Sequence, residues 1–276
     1  MKIGVGIITC NRPEFFRECY NSLPKEEVDE IVVVNDGDPN VISFDISKGV
    51  ILDNPKNLGV GKSKNRALKY LYEKGCDYLF LLEDDMIIKS ADVFEKYINA
   101  YKKSGIHHFN YGPGSPFNRK QTIQNFDLHN SHLLNQHSQP NPKMIVDYKD
   151  VKIALYEHTV AMFSFFTREI IEKVGYIDEE YYNAWEHVDH TYRIIKAGYH
   201  PPFWWFADIE NSWQYLGDEE WSIEKSTISS NPKAMEFIRK SHDHFLKKHK
   251  HHILNTPDST VEELKTKLKL IASSMK

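Results

Sequence analysis

The chain has 276 residues, of which 41% are hydrophobic and 27% charged, and a formal net charge of -4. These values exclude a disordered chain and a chain-wide basic footprint for duplex nucleic acid, and they allow one large α/β domain with an elaboration. Three cysteines without a CxxC pair, a start that leads directly into a strand, and no run of ~18 apolar residues predict a cytoplasmic protein with neither a disulfide framework nor a membrane-inserted segment.

Lys2 to Thr9 alternates glycine with β-branched residues and predicts a first strand. Asn11-Arg12-Pro13-Glu14 carries the signals of a helix start, with Asn11 as N-cap, and Phe15, Phe16, Cys19, Tyr20 and Leu23 follow at helical spacing up to Pro24. Glu30 to Asn35 predicts a second strand closed by the turn cluster Asp36-Gly37-Asp38-Pro39, and Val50 to Leu52 a short third strand. Gly61 to Lys74 predicts a helix with Ala67, Leu68 and Leu71 inward. Leu79-Phe80-Leu81-Leu82 then reads as a central strand that ends in Glu83-Asp84-Asp85. Three carboxylates there repel one another and resist burial, so they predict either a solvated turn or a site for a cation carrying a phosphate group, at the carboxyl end of a sheet.

A helix over Ala91 to Lys103 precedes a polar stretch, His107 to Pro142, and regularity returns near Met144. The pattern predicts a strand over Ala161 to Phe166, a helix over Arg168 to Val174, a helix opening at Asn183-Ala184-Trp185-Glu186 and ending near Ala197, and an aromatic strand over Phe203 to Phe206. Two helices follow. One carries Met235, Ile238, His242 and Phe245; the other opens on a Thr260/Glu263 capping box and carries Val261, Leu264, Leu268 and Ile271. Strands alternating with helices predict a mostly parallel sheet.

Five segments together resemble the GT-A glycosyltransferases of family 2. They are Thr9-Cys10-Asn11-Arg12-Pro13-Glu14; Val34-Asn35-Asp36-Gly37-Asp38; Asn57-Leu58-Gly59 through Lys64-Asn65-Arg66-Ala67; Glu83-Asp84-Asp85 in the place of the DxD motif; and Val174 to Glu179 with Trp185-Glu186-His187-Val188-Asp189, Arg193 and Ala197-Gly198-Tyr199. The likeness covers about residues 1–100 and 160–215. It implies a Rossmann-like sheet flanked by helices, with residues 1–105 as the donor half, 106–215 as the acceptor half and 216–276 as a helical extension. It also implies a UDP-sugar donor, Mn²⁺ or Mg²⁺ on Asp85 with Glu83, and transfer to a hydroxyl of a saccharide acceptor with inversion. Thr9, Asn11, Arg12, Asp36, Lys64, Asn65, Glu83 and Asp84 would line the donor site, with Asp36 reading the base.

In inverting enzymes of this type the residue directly after the glutamate of the Glu-Asp pair is the general base; here that position is His187. Histidine suits the task at neutral pH, and Glu186 and Asp189 are the other candidates. Residue by residue, plainer readings stand beside these: Asp36 as an Asx turn, Glu186 in a capping box with Asn183, and a zinc site of His187, Asp189 and His190. Gly61-Lys62-Ser63 ends like a P-loop, but Lys56 stands where the first glycine belongs. Trp185, Trp204, Trp205, Trp213, Tyr215 and Trp221 offer sugar-stacking faces or core packing. Lys247 to His252 reads as a solvated basic face or an anion contact. The competing functions are a nucleotidyltransferase, a sugar- or nucleotide-binding module without catalysis, and transfer to a protein or a modified nucleic-acid base.

Overall fold

The computed structural model describes residues 1–41, 45–120, 139–200, 206–218, 226, 228, 230–252 and 259–273. The chain runs β1 (Ile3–Thr9), α1 (Pro13–Ser22), β2 (Glu30–Asn35), β3 (Val50–Asp53), α2 (Val60–Glu73), β4 (Tyr78–Glu83), β5 (Met86–Ile88), α3 (Val93–Ser104) and β6 (His108–Asn110). It continues with β7 (Met144–Tyr148), β8 (Val151–Tyr156), β9 (Phe163–Thr167), α4 (Arg168–Val174), α5 (Glu186–Lys196), β10 (Phe206–Ile209), β11 (Leu216–Asp218), α6 (Ala234–His249) and α7 (Val261–Ser273).

Six strands form the main sheet in the order β3-β2-β1-β4-β9-β6. β1 pairs in parallel with β2 and β4, and β2 with β3, as βαβ connections require. β9 enters antiparallel between β4 and β6, so the sheet is mixed on that side. β4 is apolar from Leu79 to Leu82 because both of its faces are covered. Phe80 and Leu82 pack with Phe16, Phe94 and Tyr97, and Leu79 and Leu81 pack with Leu68 and Leu71. The strands place Thr9, Asn35 and Glu83 side by side: Ile8 stands opposite Glu83 and Thr9 opposite Asn35. The carboxyl ends of three parallel strands therefore meet at one edge, where α/β sheets bind ligands.

β6 and β9 belong to the same sheet as β1 to β4, and β11 pairs with β5, so the three sequence segments interlock. A second sheet, β10-β8-β7, includes the hairpin between Tyr148 and Val151. Of the aromatic strand expected over 203–206, only Phe206 lies within the described residues. α7 has the expected capping box: Glu263 N–H donates to Thr260 Oγ1 at 3.3 Å and Thr260 N–H to Glu263 Oε2 at 2.7 Å. Its Leu264, Leu268 and Ile271 are buried against α3 and β7. α6 buries Phe245 against Trp185 and Tyr192 but leaves Met235 73% exposed.

Two helix starts differ from expectation. Arg12, not Asn11, occupies the N-cap of α1, without a side-chain cap. Asn11 adopts φ 55°, and its Oδ1 accepts from Asp38 N–H at 2.7 Å, stitching the turn after β1 to the turn after β2. Trp185, in the left-handed region at φ 68°, precedes α5. Asn183 forms no capping box with Glu186; its Oδ1 accepts from Val60 N–H at 3.2 Å.

Candidate active site

The floor is built from the ends of β1 and β4. Asp84 is 1% exposed; its Oδ2 accepts from Thr9 Oγ1 at 2.7 Å, and its Oδ1 is ion-paired to Arg12 Nη2. Burial pushes the Asp84 carboxyl up to about 7, against the pull of Arg12. The same guanidinium lies 3.2 Å from Asp85 Oδ2. The other oxygen of Asp85, Oδ1, is buried with no hydrogen-bond partner. An orphaned carboxylate oxygen in a buried site is costly unless a cation completes it.

Glu83 points elsewhere. Its Oε1 pairs with Lys64 Nζ at 2.8 Å, and Lys64 also reaches Glu186 Oε1 at 3.0 Å and the carbonyl of Ala161 at 3.2 Å. All three ammonium protons thus have acceptors, and Lys64 is 2% exposed, so it is a buried tie rather than the donor-site lining expected from the sequence. Burial works against the charge on Lys64, but Glu83 and Glu186 outweigh it and hold its pKa above the ordinary value. Burial raises Glu83 in spite of Lys64. That pairing argues against Glu83 as a second metal ligand.

Asp36 organises the approach to α2. Its Oδ1 accepts from Leu58 N–H at 2.7 Å and Asn54 Nδ2 at 2.6 Å, and its Oδ2 from Gly59 N–H at 2.9 Å. The Asx turn here belongs to Asn35, whose Oδ1 accepts from Gly37 N–H at 3.0 Å. Asn65 is likewise occupied: it donates to Ile177 O at 2.8 Å and Glu179 Oε1 at 3.0 Å and accepts from Ile177 N–H at 2.9 Å. It clamps residues 177–179 onto α2, which corrects its expected place in the donor pocket.

On the opposite wall, Glu186 is 3% exposed and its Oε1 lies 3.2 Å from His187 Nδ1. Burial alone would raise Glu186, but Lys64 and His187 hold its carboxyl well below the usual range. Asp189 is not at this wall. It is fully buried and takes Arg193 Nε at 2.9 Å, His249 Nε2 at 2.7 Å and Lys248 Nζ at 2.8 Å. It anchors α6 and is corrected as a base candidate. His190 Nε2 donates to Gly175 O at 2.9 Å, so His187, Asp189 and His190 do not converge on a zinc ion. Among the described residues no three His, Cys, Asp or Glu side chains form a metal cluster. Trp185 packs on His242 and Phe245 and serves the docking of α6, Trp213 is 40% exposed, and Trp204, Trp205 and Trp221 lie outside the described residues. Lys248, His249 and His251 contact Asp178, Asp189 and Tyr192, whereas Lys247 and Lys250 are exposed, so the basic patch is partly tied to the body of the protein and partly solvated.

Sequence reasoning missed Thr9 as the partner of Asp84, Arg12 as the bridge between two acids, and Lys64 as the link to Glu186. The signal for Lys64 was available: Val60, Lys64, Ala67, Leu68 and Leu71 share one helical stripe, and a lysine on an apolar stripe implies a buried partner.

A strand-end acidic floor facing a helix-borne Glu-His pair, on this sheet order, defines a GT-A fold. The chain belongs to glycosyl transferase family 2, whose model matches residues 4–174. An uncharacterized glycosyltransferase of Acanthamoeba polyphaga mimivirus is 28% identical over 250 residues, covering 83% of this chain and 85% of that one. Among solved structures, the mannosyltransferase PcManGT of Pyrobaculum calidifontis, in complex with GDP-Man and Mn²⁺, is similar with a TM-score of 0.52 at 12% identity, covering 98% of this chain and 69% of that one. TarS of S. aureus, in complex with UDP-GlcNAc, gives 0.50 at 14% identity, covering 100% and 73%. The protein is therefore a glycosyltransferase, which decides against nucleotidyl transfer and against a binding module. No helix among the described residues is long and apolar enough to cross a membrane.

Proposed function

We propose that the protein transfers a sugar from a UDP-sugar to a hydroxyl of a saccharide acceptor, with inversion. The observation that carries this reading is the orphaned Asp85 Oδ1 at the end of β4, in a chain of this family. The residues fit a Mn²⁺ or Mg²⁺ ion held by Asp85, since such ions accept one or two protein carboxylates and take other oxygens from phosphate and water. When bound, the ion would stabilise the charge that develops on the diphosphate leaving group. Arg12 adds fixed positive charge beside Asp84 and Asp85, and Thr9 fixes Asp84. Asp36 holds the loop at Leu58 and Gly59, and an open lone pair on its Oδ2 would accept the base N–H. His187 takes the proton of the acceptor hydroxyl as that oxygen bonds to the anomeric carbon. The bond from that carbon to the diphosphate oxygen breaks, and its electron pair leaves with UDP.

A panel of nucleotide sugars, with UDP or GDP release measured with and without Mn²⁺, tests this. Metal-dependent release from one UDP-sugar is expected. Release from GDP-sugars alone would overturn the donor, and metal-independent release would overturn the role of Asp85.

A further inference from the structure

We propose that Glu186 is the positioning residue of the acceptor side. Gripped by Lys64, its carboxylate accepts a hydrogen bond from Nδ1–H of His187 and leaves Nε2 as the basic nitrogen. The inference rests on His187 as the base and adds how that base is prepared.

The geometry is specific. Glu186 Oε1 stands between Lys64 Nζ at 3.0 Å and His187 Nδ1 at 3.2 Å. An ionised carboxylate only accepts hydrogen bonds, so the contact to Nδ1 exists only when that nitrogen carries the proton. Neutral imidazole then has its lone pair on Nε2, the form a general base needs. Lys64 keeps Glu186 ionised and is itself fixed by Glu83 at 2.8 Å and by the Ala161 carbonyl at 3.2 Å. Ala161 holds φ 53°, a left-handed conformation unfavourable for a residue with a Cβ. Gly61 lets α2 approach: a Cβ there would stand 2.6 Å from Tyr181 O. The backbone is thus shaped on both sides of Lys64 to bring α2 against the start of α5. The link also joins the two halves of the reaction, because Glu83 directly precedes the acidic pair of the donor floor.

Among the described residues, Glu186 precedes His187 on α5, Lys64 of α2 and Glu83 of β4 lie behind Glu186, buried His108 of β6 is an electrostatic neighbour, and Phe206 of β10 faces its ring at 6.1 Å. The carboxylate fixes the tautomer of His187, which a purely packing role for Glu186 would not do.

The test uses the full chain labelled with ¹⁵N-histidine. Long-range ¹H–¹⁵N spectra report the tautomer of His187, and His187→Gln assigns its resonance. The Nδ1–H tautomer is expected for neutral His187 in the wild type. Glu186→Gln, whose neutral amide can donate as well as accept, should lose the uniform Nδ1–H tautomer and lower kcat for UDP release by on the order of 10-fold, with KM for the UDP-sugar little changed. An Nε2–H tautomer in the wild type, or an unchanged tautomer and kcat in Glu186→Gln, would overturn the proposal. If Glu186→Gln fails to fold, the wild-type tautomer alone decides. Full turnover in His187→Gln would instead overturn the base assignment while leaving the tautomer result intact.

Discussion

Asp85 and Asp189 are both buried aspartates, yet their surroundings give them opposite roles. Asp85 has one oxygen without a partner, and Asp189 is saturated by Arg193, Lys248, His249 and the Tyr181 hydroxyl. Burial pushes Asp189 up, but its cationic partners outweigh that and leave it ionised and a poor base. Asp189→Asn should therefore cost stability, on the order of 1–3 kcal/mol in urea unfolding, because it removes the buried carboxylate that Arg193, Lys248 and His249 share. It should leave the pH dependence of turnover in place. A shifted acid limb in that variant would return Asp189 to the reacting groups.

Among elements, α7 shows what a sequence makes plain and the β7–β8 hairpin what it hides. The Thr260/Glu263 box and the spacing of Leu264, Leu268 and Ile271 announce α7; the helix begins as read and buries those three, while Val261 in its first turn stays exposed. Leu268→Ala should destabilise the protein by about 3 kcal/mol, measured by thermal or urea unfolding, since its side chain fills the seam with α3 and β7. An unchanged midpoint would place α7 outside the cooperative fold. The hairpin turns on Lys149 and Asp150, both with positive φ, at 46° and 66°. That conformation ordinarily selects Asn-Gly or Gly, and without those residues the turn had no local signal. The parallel strands β1, β2 and β4 were legible because each is an apolar run closed by turn chemistry. The reversed direction of β9 was not, because strand direction depends on where the preceding chain lies and leaves no mark in the strand itself.

Across the whole molecule, the site residues lie on separate elements that only the fold brings together. The acidic floor and the Glu186-His187 pair were legible as types and positions. Their partners were not, because the pairs of Thr9 with Asp84 and of Lys64 with Glu186 span 75 and 122 residues. The buried titratable groups oppose one another as pH falls. Burial raises Asp208 to about 6 and Asp84 to about 7, so the folded state gains protons early and is favoured by acid. Burial lowers His107 to about 4 and His190 to about 3, so the unfolded chain takes up those protons first, below about 6.5, and stability is lost from there towards the folded values. Buried His108, held well below the ordinary value, and the depressed carboxyl of Asp178 add to the loss, so stability is predicted to fall as pH drops below about 6.5. His107→Gln isolates one side. The wild type should lose on the order of 3 kcal/mol relative to the variant from pH 7 to pH 4, by urea unfolding at each pH. A constant difference would mean that His107 titrates normally in the fold.

The donor site stands or falls on Asp85. Calorimetric titration of UDP into the wild type and Asp85→Asn, each with and without Mn²⁺, addresses it directly. Binding in the wild type that requires Mn²⁺, and its loss by on the order of 100-fold or more in Asp85→Asn, is the result predicted. UDP binding of equal strength without metal, or undiminished Mn²⁺-dependent binding in Asp85→Asn, would contradict it.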